Sequence, residues 1–454
     1  MKNLPFLHPL TQLPELVPKL FHDHSKTNKY IYAIYKLLNN KITLIKEDSK
    51  LPSICRIGVL IPRNNLKTKE CQALSLLYKE SGDLYRKFKN NGGDSNMTYD
   101  DDLLYWSGSW IDDNRSIDLI SEVLNGIYKF KEDNSYMNKV LESKVKIYNY
   151  LNQLSGDNEE NLEKEEFRNA IMGYNVENKE NNSLITISKV NSAIKHGLHL
   201  SPHHIIVTSG ISNQTFQKIS SLISELLSPC LSSTVKKEIL IPQFKLIDKR
   251  NFLQNPSPTN IKLIFPCFPW SSPKTPAYNL INEIFGSATP FSVGGPGKGI
   301  FSRSYEHVLK KKGYIISCKS LHYPSKYFGL FGFDFSCFTN ERQTVEDIIE
   351  TIHNLGNNLS QSELNRAKNI LSRKILSNLG NNIGRVEDAA KSYYYFNEVM
   401  GEKYIDLINK VSVNEIYESI NYLIKNKNKS MLFIKGNKSN VSKIPKVEKI
   451  INLF

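Results

Sequence analysis

Residues 291–305, FSVGGPGKGIFSRSY, place four glycines, one proline and one lysine in six consecutive positions. A lysine after glycines is typical of a phosphate-binding loop, in which backbone N–H groups surround the phosphate and a hydroxyl reaches magnesium. That motif requires Ser or Thr after Gly-Lys, whereas Gly297-Lys298 is followed by Gly299. Ser292 occupies the position of the first glycine, and the run follows a predicted helix rather than a strand. These departures argue against a nucleotide site, including the dinucleotide type.

The histidines do not form a zinc-binding motif. Zinc peptidases place two imidazoles and a carboxylate on one helix face as H-E-x-x-H or H-x-x-E-H, and neither pattern occurs in the sequence. The densest group, HGLHLSPHH at 196–204, has no acidic residue, and its proline interrupts a helix. We interpret it as a loop that leads into the strand IIVTSG. The nucleophile motif G-x-S-x-G is also absent, so no residue is nominated as catalytic.

Composition indicates a soluble globular protein of two or three domains. The 454 residues exceed one ordinary core, and no apolar run approaches the roughly 20 residues of a membrane span. The net charge of +14 invites a nucleic-acid interpretation, but the lysines are spread along the chain without a compact basic stripe. The six cysteines include no C-x-x-C pair, and several lie in apolar runs. This favours buried free thiols in a reducing compartment.

The N-terminal stretch MKNLPFLHPLTQLPELVPKLFHDHSK lacks the continuous apolar segment of a secretory signal. It also lacks arginine and carries Glu15 and Asp23, unlike a typical transit peptide. We therefore expect neither kind of signal, although a short or atypical organellar signal stays open.

The predicted elements occur twice in the same order. The first half reads as a hairpin (YIYAIYKLLNN, KITLIKE), the strand CRIGVLIP, the helical run ECQALSLLYKESGDLYRKFK, the strand pair MTYDDDLLYWSGSW and the helix SIDLISEVLNGIYKF. The second half reads as IKLIFPCFPW, TPAYNLINEIFG, the glycine run with FSRSYEHVLKKK, the pair GYIISCKSLHY and YFGLFGFDFSCF, and VEDIIETIHNLG. Each half closes on a strand and a glycine turn, HHIIVTSG and MLFIKG. The pattern predicts an α+β protein of two duplicated domains.

Polar composition sets the predicted domain bounds. The stretch LSPCLSSTVKKE lacks long periodicity and predicts a linker at 229–245. It separates an N-terminal domain, 1–228, from a C-terminal domain, 246–454, that carries the glycine run. The acidic stretch at 155–166 predicts a solvated loop or an exposed helix start inside the first domain.

With the duplication and SVGGPGKGIFSRSYEHVL in view, the chain resembles the processing peptidases of the pitrilysin-like metallopeptidase family. The resemblance continues through YFGLFGF, LSQSELNRAKNILSRKILSNLG and GRVEDAA, is strong over roughly 258–435, and is faint before 230. It implies two domains that each contain a mostly antiparallel sheet covered by helices.

Within that family the beta subunit holds zinc through H-x-x-E-H, and the alpha subunit has no working site. Aligned after IGVLIP, Cys71-Gln72-Ala73-Leu74-Ser75 stands where this motif would be, with Cys71 and Ser75 in place of the histidines and Leu74 in place of the glutamate. No histidine lies between His24 and His196. The resemblance therefore implies a chain with no cofactor of its own, beside a beta-type partner that carries the zinc.

The resemblance also implies a role for the glycine run. In the family, this loop lies over the cavity between the two subunits and helps to capture the presequence of an imported precursor. The candidate residues are Phe291, Ser292, Gly294, Gly295, Pro296, Gly297, Lys298 and Gly299. Glycine suits such a role because backbone without Cβ can approach an extended peptide closely. Upstream, Thr289-Pro290 departs from the family pattern and stiffens that limb, and a purely structural turn is the alternative.

Presequences are amphipathic and rich in arginine, so a receptor cavity needs carboxylates. By resemblance, the candidates are Glu363 in SELNRAK and Glu387-Asp388 in GRVEDAA. Glu363 has an alternative role, because Ser360-Gln-Ser-Glu363 has the pattern of a helix capping box. For Glu387-Asp388 the alternative is a solvated helix face.

The function implied by the resemblance is presequence recognition by the non-catalytic subunit of a heterodimeric zinc endopeptidase. The implied location is the mitochondrial matrix, with a reduced, relic mitochondrion as an alternative. A core protein of the respiratory cytochrome bc complex shares the fold and is the first alternative function, although GGPGKG favours the peptidase subunit. A basic RNA-binding protein is the second, and it would need an exposed Lys/Arg stripe.

Overall fold

The computed structural model describes residues 31–38, 41–48, 54–63, 71, 75, 83–100, 102–128, 146, 203–227, 242–253, 257–288 and 302–454. Within them, strands β1 to β6 form the first sheet: Ile31–Leu37, Ile42–Asp48, Cys55–Pro62, Asp94–Tyr99, Leu103–Trp110 and His204–Ser209. Strands β7 to β12 form the second: Ile247–Leu253, Thr259–Cys267, Ser287–Ala288, Ile315–Pro324, Gly329–Cys337 and Met431–Asn437.

The two sheets repeat one strand order. In the first sheet, β2 pairs in parallel with β6, which is followed by β3, β5 and β4 in antiparallel pairs. In the second sheet, β7 pairs in parallel with β12, which is followed by β8, β11 and β10 in antiparallel pairs. Strand β1 extends the first sheet beyond β2, and β9 extends the second beyond β10. The predicted α+β class and the duplication of a mostly antiparallel sheet are therefore confirmed.

The described helices are α1 to α11: Asp83–Asn90, Ser116–Tyr128, Asn213–Leu227, Thr275–Phe285, Glu341–Asn357, Gln361–Leu379, Asn382–Phe396, Lys403–Lys410, Val413–Lys425, Lys438–Val441 and Val447–Ile450. A π-helical turn at Ser304–Leu309 occupies part of the predicted helical run FSRSYEHVLKKK. Helix α1 ends at Asn90, and two residues further on Gly92 takes a positive φ of 68°, which glycine adopts without the steric cost of a Cβ atom. In the described part of the chain, no helix is both long and apolar enough to cross a bilayer.

Each sheet packs one face against helices of its own half. Buried side chains of α1, α2 and α3 join the first sheet in one hydrophobic core, with Phe88, Ile120 and Ile219 as examples. Helices α4, α5 and α9 do the same for the second sheet, where Phe285 and Phe333 lie edge to face with centroids 5.1 Å apart. Burial of these apolar faces is the main stabilising contribution to each unit.

Helix α7 of the second half covers the other face of the first sheet. Val386, Ala389 and Tyr393 of α7 share a buried cluster with Leu60 and Val207 of the sheet. Side chains of β2, β3, β5 and β6 are thus buried on both faces of the first sheet. One face packs against helices of the first half and the other against α7. The two halves share this core.

The predicted bounds 1–228, 229–245 and 246–454 stay a prediction, since residues 228–241 lie outside the described part of the chain. The acidic stretch at 155–166 also lies outside it, as do Asn39 and Asn40, which connect the two strands of the predicted hairpin. Described elements of the first half extend to Leu227, and β7 begins at Ile247.

Candidate functional site

Eight candidate residues of the glycine run lie outside the described part of the chain: Phe291, Ser292, Gly294, Gly295, Pro296, Gly297, Lys298 and Gly299. We call residues 289–301 the glycine segment; the chain is described up to Ala288 before it and from Ser302 after it. At the incoming end, Gly286 has a φ of 72°, and β9 then pairs with Cys318 and Lys319 of β10. At the outgoing end, Ser302 lies beside Gly286: a Cβ on Gly286 would be 2.9 Å from Cβ of Ser302. The two ends of the glycine segment therefore meet at the edge of the second sheet.

Glu363 lies at position N3 of α6 and closes a capping box with Ser360. The Ser360 hydroxyl accepts from the backbone N–H of Glu363 at 3.2 Å, and the Ser360 N–H donates to the carboxylate at 3.0 Å. The capping role that the S-x-x-E pattern predicts is thus confirmed. The same carboxylate forms an ion pair with Arg303, which the sequence analysis did not single out.

Glu387 and Asp388 differ in their surroundings although they are neighbours on α7. The Glu387 side chain is 36% exposed and forms an ion pair with Lys391, one turn further on, at 2.7 Å. Glu387 therefore lies on a solvated face, and its charge is partly neutralised by a neighbour that can move.

Asp388 is largely buried. Among the described residues its Oδ2 atom has no hydrogen-bond partner. Burial raises the pKa of the Asp388 carboxyl to about 6, although a backbone hydrogen bond from Gly401 opposes the rise. The positive charge of Lys391 also favours the ionised carboxylate, but burial outweighs both effects.

A second acidic position, Asp102, joins the two halves near α7. Its carboxylate accepts from the Ser325 hydroxyl at 2.8 Å and from the backbone N–H of Lys326 at 3.0 Å. The Lys326 ammonium lies 3.9 Å from the centroid of the Tyr394 ring of α7. The turn between β4 and β5 is thus bound to the turn between β10 and β11, next to α7, the helix that carries Glu387 and Asp388. The sequence patterns of the two halves do not indicate this contact.

Two of the five positions aligned with the zinc motif, Cys71 and Ser75, are described, and both have structural roles. Cys71 is buried in the core of the first sheet, and Ser75 donates its hydroxyl to the carbonyl of Met97 at 2.8 Å. Gln72, Ala73 and Leu74 lie outside the described residues. Within the described ranges, no group of three or more His, Cys, Asp or Glu side chains could hold a metal ion.

The histidine group at 196–204 is described only from His203 onward. His203 forms a hydrogen bond with the Thr43 hydroxyl at 3.0 Å, and His204 begins β6 with a fully buried side chain. His203 thus directly precedes β6 and His204 lies within it, next to β2, which agrees with the predicted strand. The predicted loop at 196–202 lies outside the described residues.

Comparison with known proteins finds sequence similarity over part of the chain. Residues 196–371 match the sequence model described as the Peptidase M16 inactive domain. The mitochondrial-processing peptidase subunit alpha of Neurospora crassa is 30% identical over 174 residues, which cover 37% of this chain and 28% of that protein. The human subunit alpha is 33% identical over 103 residues, covering 22% and 20%. That of Solanum tuberosum is 24% identical over 250 residues, covering 53% and 48%.

The structural comparison supports the fold over most of the chain. The crystal structure of a protease from Helicobacter pylori aligns with a TM-score of 0.69 and 13% identity, covering 90% of this chain and 99% of that one. The chain thus shares its fold with this protease over most of its length and is similar in sequence to processing-peptidase alpha subunits over part of its length. It spans about a fifth to a half of the length of the three alpha subunits named above.

Proposed function

We propose that this chain is the non-catalytic, alpha-type subunit of a heterodimeric processing peptidase of the mitochondrial matrix. In this role it binds the basic presequences of imported precursors, and a beta-type partner with an H-x-x-E-H motif supplies the zinc. The observation that carries the proposal is the match of residues 196–371 to the inactive M16 domain, a range that includes both the glycine run and Glu363. Similarity to subunits named alpha in a fungus, a plant and human supports the same assignment.

In the proposed site, the glycine segment and the carboxylates Glu387 and Asp388 face the presequence. Asp388 lies next to Glu387 on α7, but its unpartnered Oδ2 is closed to solvent, so a guanidinium would pair with this carboxylate only after a local rearrangement of α7 or its neighbours. Glu387 is accessible and can exchange Lys391 for a ligand cation at small cost, since half-exposed ion pairs contribute about 0–1 kcal/mol. Glu363 also belongs to the candidate set, although its carboxylate already binds Arg303.

Reconstitution tests the proposal. The tagged full chain should capture, from mitochondrial extract of its source, a protein that bears H-x-x-E-H. The purified chain should cleave no precursor and bind no stoichiometric zinc by itself, and cleavage should begin when that partner is added. One tight zinc per isolated chain, or capture of a respiratory complex without a peptidase partner, contradicts the assignment.

A further inference from the structure

Arg303 is a buried cation, and each of its three nitrogen atoms donates to a fixed acceptor. Its side chain is 7% exposed, and its Nε and Nη2 atoms donate to the two carboxylate oxygens of Glu363 at 2.8 and 3.0 Å. Nη1 donates to the carbonyl of Asn354 at 2.9 Å, and Nη2 also donates to the carbonyl of Asn358. The guanidinium thereby links the end of α5 to the first turn of α6.

The Glu363 carboxylate is correspondingly occupied. Oε2 accepts from Arg303 and from both the N–H and the hydroxyl of Ser360, each at 3.0 Å. Burial alone would raise the pKa of this carboxyl, but the bonds from Arg303 and Ser360 hold it down to about 2. A basic ligand would have to displace a bidentate, partly buried partner in order to reach Glu363.

Arg303 directly follows Ser302, the first described residue after the glycine segment. Ser302 lies against Gly286 at the other end of that segment, and its hydroxyl is 2.8 Å from that of Ser304. The Ser304 carbonyl accepts from the thiol of Cys318 in β10 at 3.2 Å. The point where the chain leaves the glycine segment is thus fixed on one side by β10 and on the other side by Glu363.

We infer that Glu363 is a positioning residue for recognition: through Arg303 it fixes the outgoing end of the glycine segment to α5 and α6, and it does not contact the basic ligand itself. This inference rests on the proposed function. It also separates two roles that the sequence assigns to Glu363, because the geometry directs its carboxylate at Arg303 and Ser360.

Replacement of Arg303 by Met distinguishes the two roles by the sign of its effect. If Glu363 contacts a cationic ligand, Arg303→Met frees a carboxylate, and binding of a basic peptide should stay equal or become tighter. If Glu363 acts through Arg303, binding should weaken about tenfold, the order expected for removal of a coupling contact. The probe is a fluorescent amphipathic peptide with arginines on its polar face, titrated into the full chain.

Further variants complete the design. Glu363→Gln keeps the pattern of a capping box and should weaken binding as much as Arg303→Met, while the double variant should be no weaker than either single variant. Ser360→Ala removes the cap but keeps the Arg303 pair, so it should bind as the unaltered chain does. The factor by which Arg303→Met or Glu363→Gln lowers the peptide affinity should also be the same at low and high salt, because neither variant removes a charge contact with the ligand.

Three results overturn the inference. The first is that Arg303→Met binds the peptide as tightly as the unaltered chain or more tightly. The second is that the losses of affinity from Glu363→Gln and Arg303→Met add in the double variant, and the third is that the loss from Glu363→Gln disappears at high salt. If Arg303→Met does not fold, Arg303→Lys replaces it. Lysine still neutralises Glu363 but loses the fork, so direct contact predicts unchanged binding and positioning predicts a partial loss. Absence of peptide binding by the unaltered chain would instead contradict the proposed function.

Discussion

Arg385 of α7 donates through Nε to Oε1 of Glu47 in β2 at 2.9 Å, and the two side chains are 2% and 0% exposed. The Ser209 hydroxyl donates to the other oxygen of Glu47, and Arg385 Nη1 donates to the carbonyl of Leu379 at 3.0 Å. One ion pair thus joins the two halves of the chain inside their shared core. It places the helix of Glu387 and Asp388 at a fixed register on the first sheet.

Removal of one partner from this pair should be costly. Arg385→Met should lower the free energy of unfolding by about 3–5 kcal/mol, because Glu47 is left buried without its cation. The free energy of unfolding is measured by chemical denaturation of the full chain. Lys403→Met is the matched control: its pair with Glu398 is 66% and 54% exposed, so the loss should be below about 1 kcal/mol. Equal losses in the two variants would contradict the prediction.

Gly58 allows α7 to approach the first sheet. A Cβ at this position would lie 2.5 Å from the Tyr105 hydroxyl oxygen and 2.9 Å from Cγ1 of Val386. Gly58→Ala should therefore force these side chains apart and cost about 1–3 kcal/mol of stability, as overpacking typically does. The change in thermal midpoint measures the effect. Gly313→Ala, whose Cβ would have no neighbour within 4 Å, should leave the midpoint nearly unchanged.

Asp388 should show opposite effects on stability and on binding. Its pKa is raised to about 6 in the folded chain, so the folded state binds more protons than the unfolded state between roughly pH 4 and 6. Stability that Asp388 provides at low pH is therefore lost as the pH rises through this window. Asp388→Asn removes this cost and should raise stability at pH 8 by about 1–3 kcal/mol, with no gain at pH 4.

The same variant should bind the arginine-bearing peptide more weakly if Asp388 is part of the recognition site. Denaturation at both pH values and one peptide titration at pH 8 are the measurements. A stabilised variant with unchanged peptide affinity would show that Asp388 has no role in recognition. Burial also raises the pKa of Asp100 to about 6. Because Asp100 titrates in both proteins, its contribution cancels in the difference between their free energies of unfolding.

Glu387 offers a test of charge at an accessible position. Glu387→Lys should weaken binding of the basic peptide, and the loss should be larger at low salt because mobile ions screen exposed charges. Glu398→Lys on the exposed surface has the same change in net charge and should have little effect. If the two variants respond alike at every ionic strength, the effect of Glu387 comes from net charge alone.

Local patterns in the sequence predict much of this fold. The apolar runs CRIGVLIP and IKLIFPC, the helical spacing in TPAYNLINEIF and the capping box at Ser360 each depend on residues close in the chain, and the structure has them all. The repeated order of these elements also predicts the repeated sheets, because consecutive elements usually lie next to each other.

Contacts between distant residues could not be predicted in this way. Helix α7 shows an apolar face in its sequence, yet nothing local indicates that this face covers a sheet of the other half. Arg385 and Arg303 look alike in sequence as single cations within helical runs, and only the structure reveals Glu47 and Glu363 as their partners. A pairing over 338 positions leaves no periodic signal in one sequence.

Deletion of 294–299 tests the role of the glycine segment. The fold should survive, because Gly286 and Ser302 already lie in contact at the two ends, and a shorter segment can still join them. A glycine-rich stretch also buries little apolar surface, so its removal costs little stability. In the complex with the beta-type partner, KM for a precursor should rise because contacts with bound peptide are lost. Turnover should fall as well if movement of the segment delivers peptide to the zinc of the partner.

Pro290→Gly is the companion variant, since it loosens one limb and leaves the glycines in place. It should alter precursor kinetics without changing the zinc content of the complex. If the deletion variant processes precursors with the same KM and turnover as the unaltered complex, the glycines only form a turn. Recognition would then depend on Glu387 and Asp388.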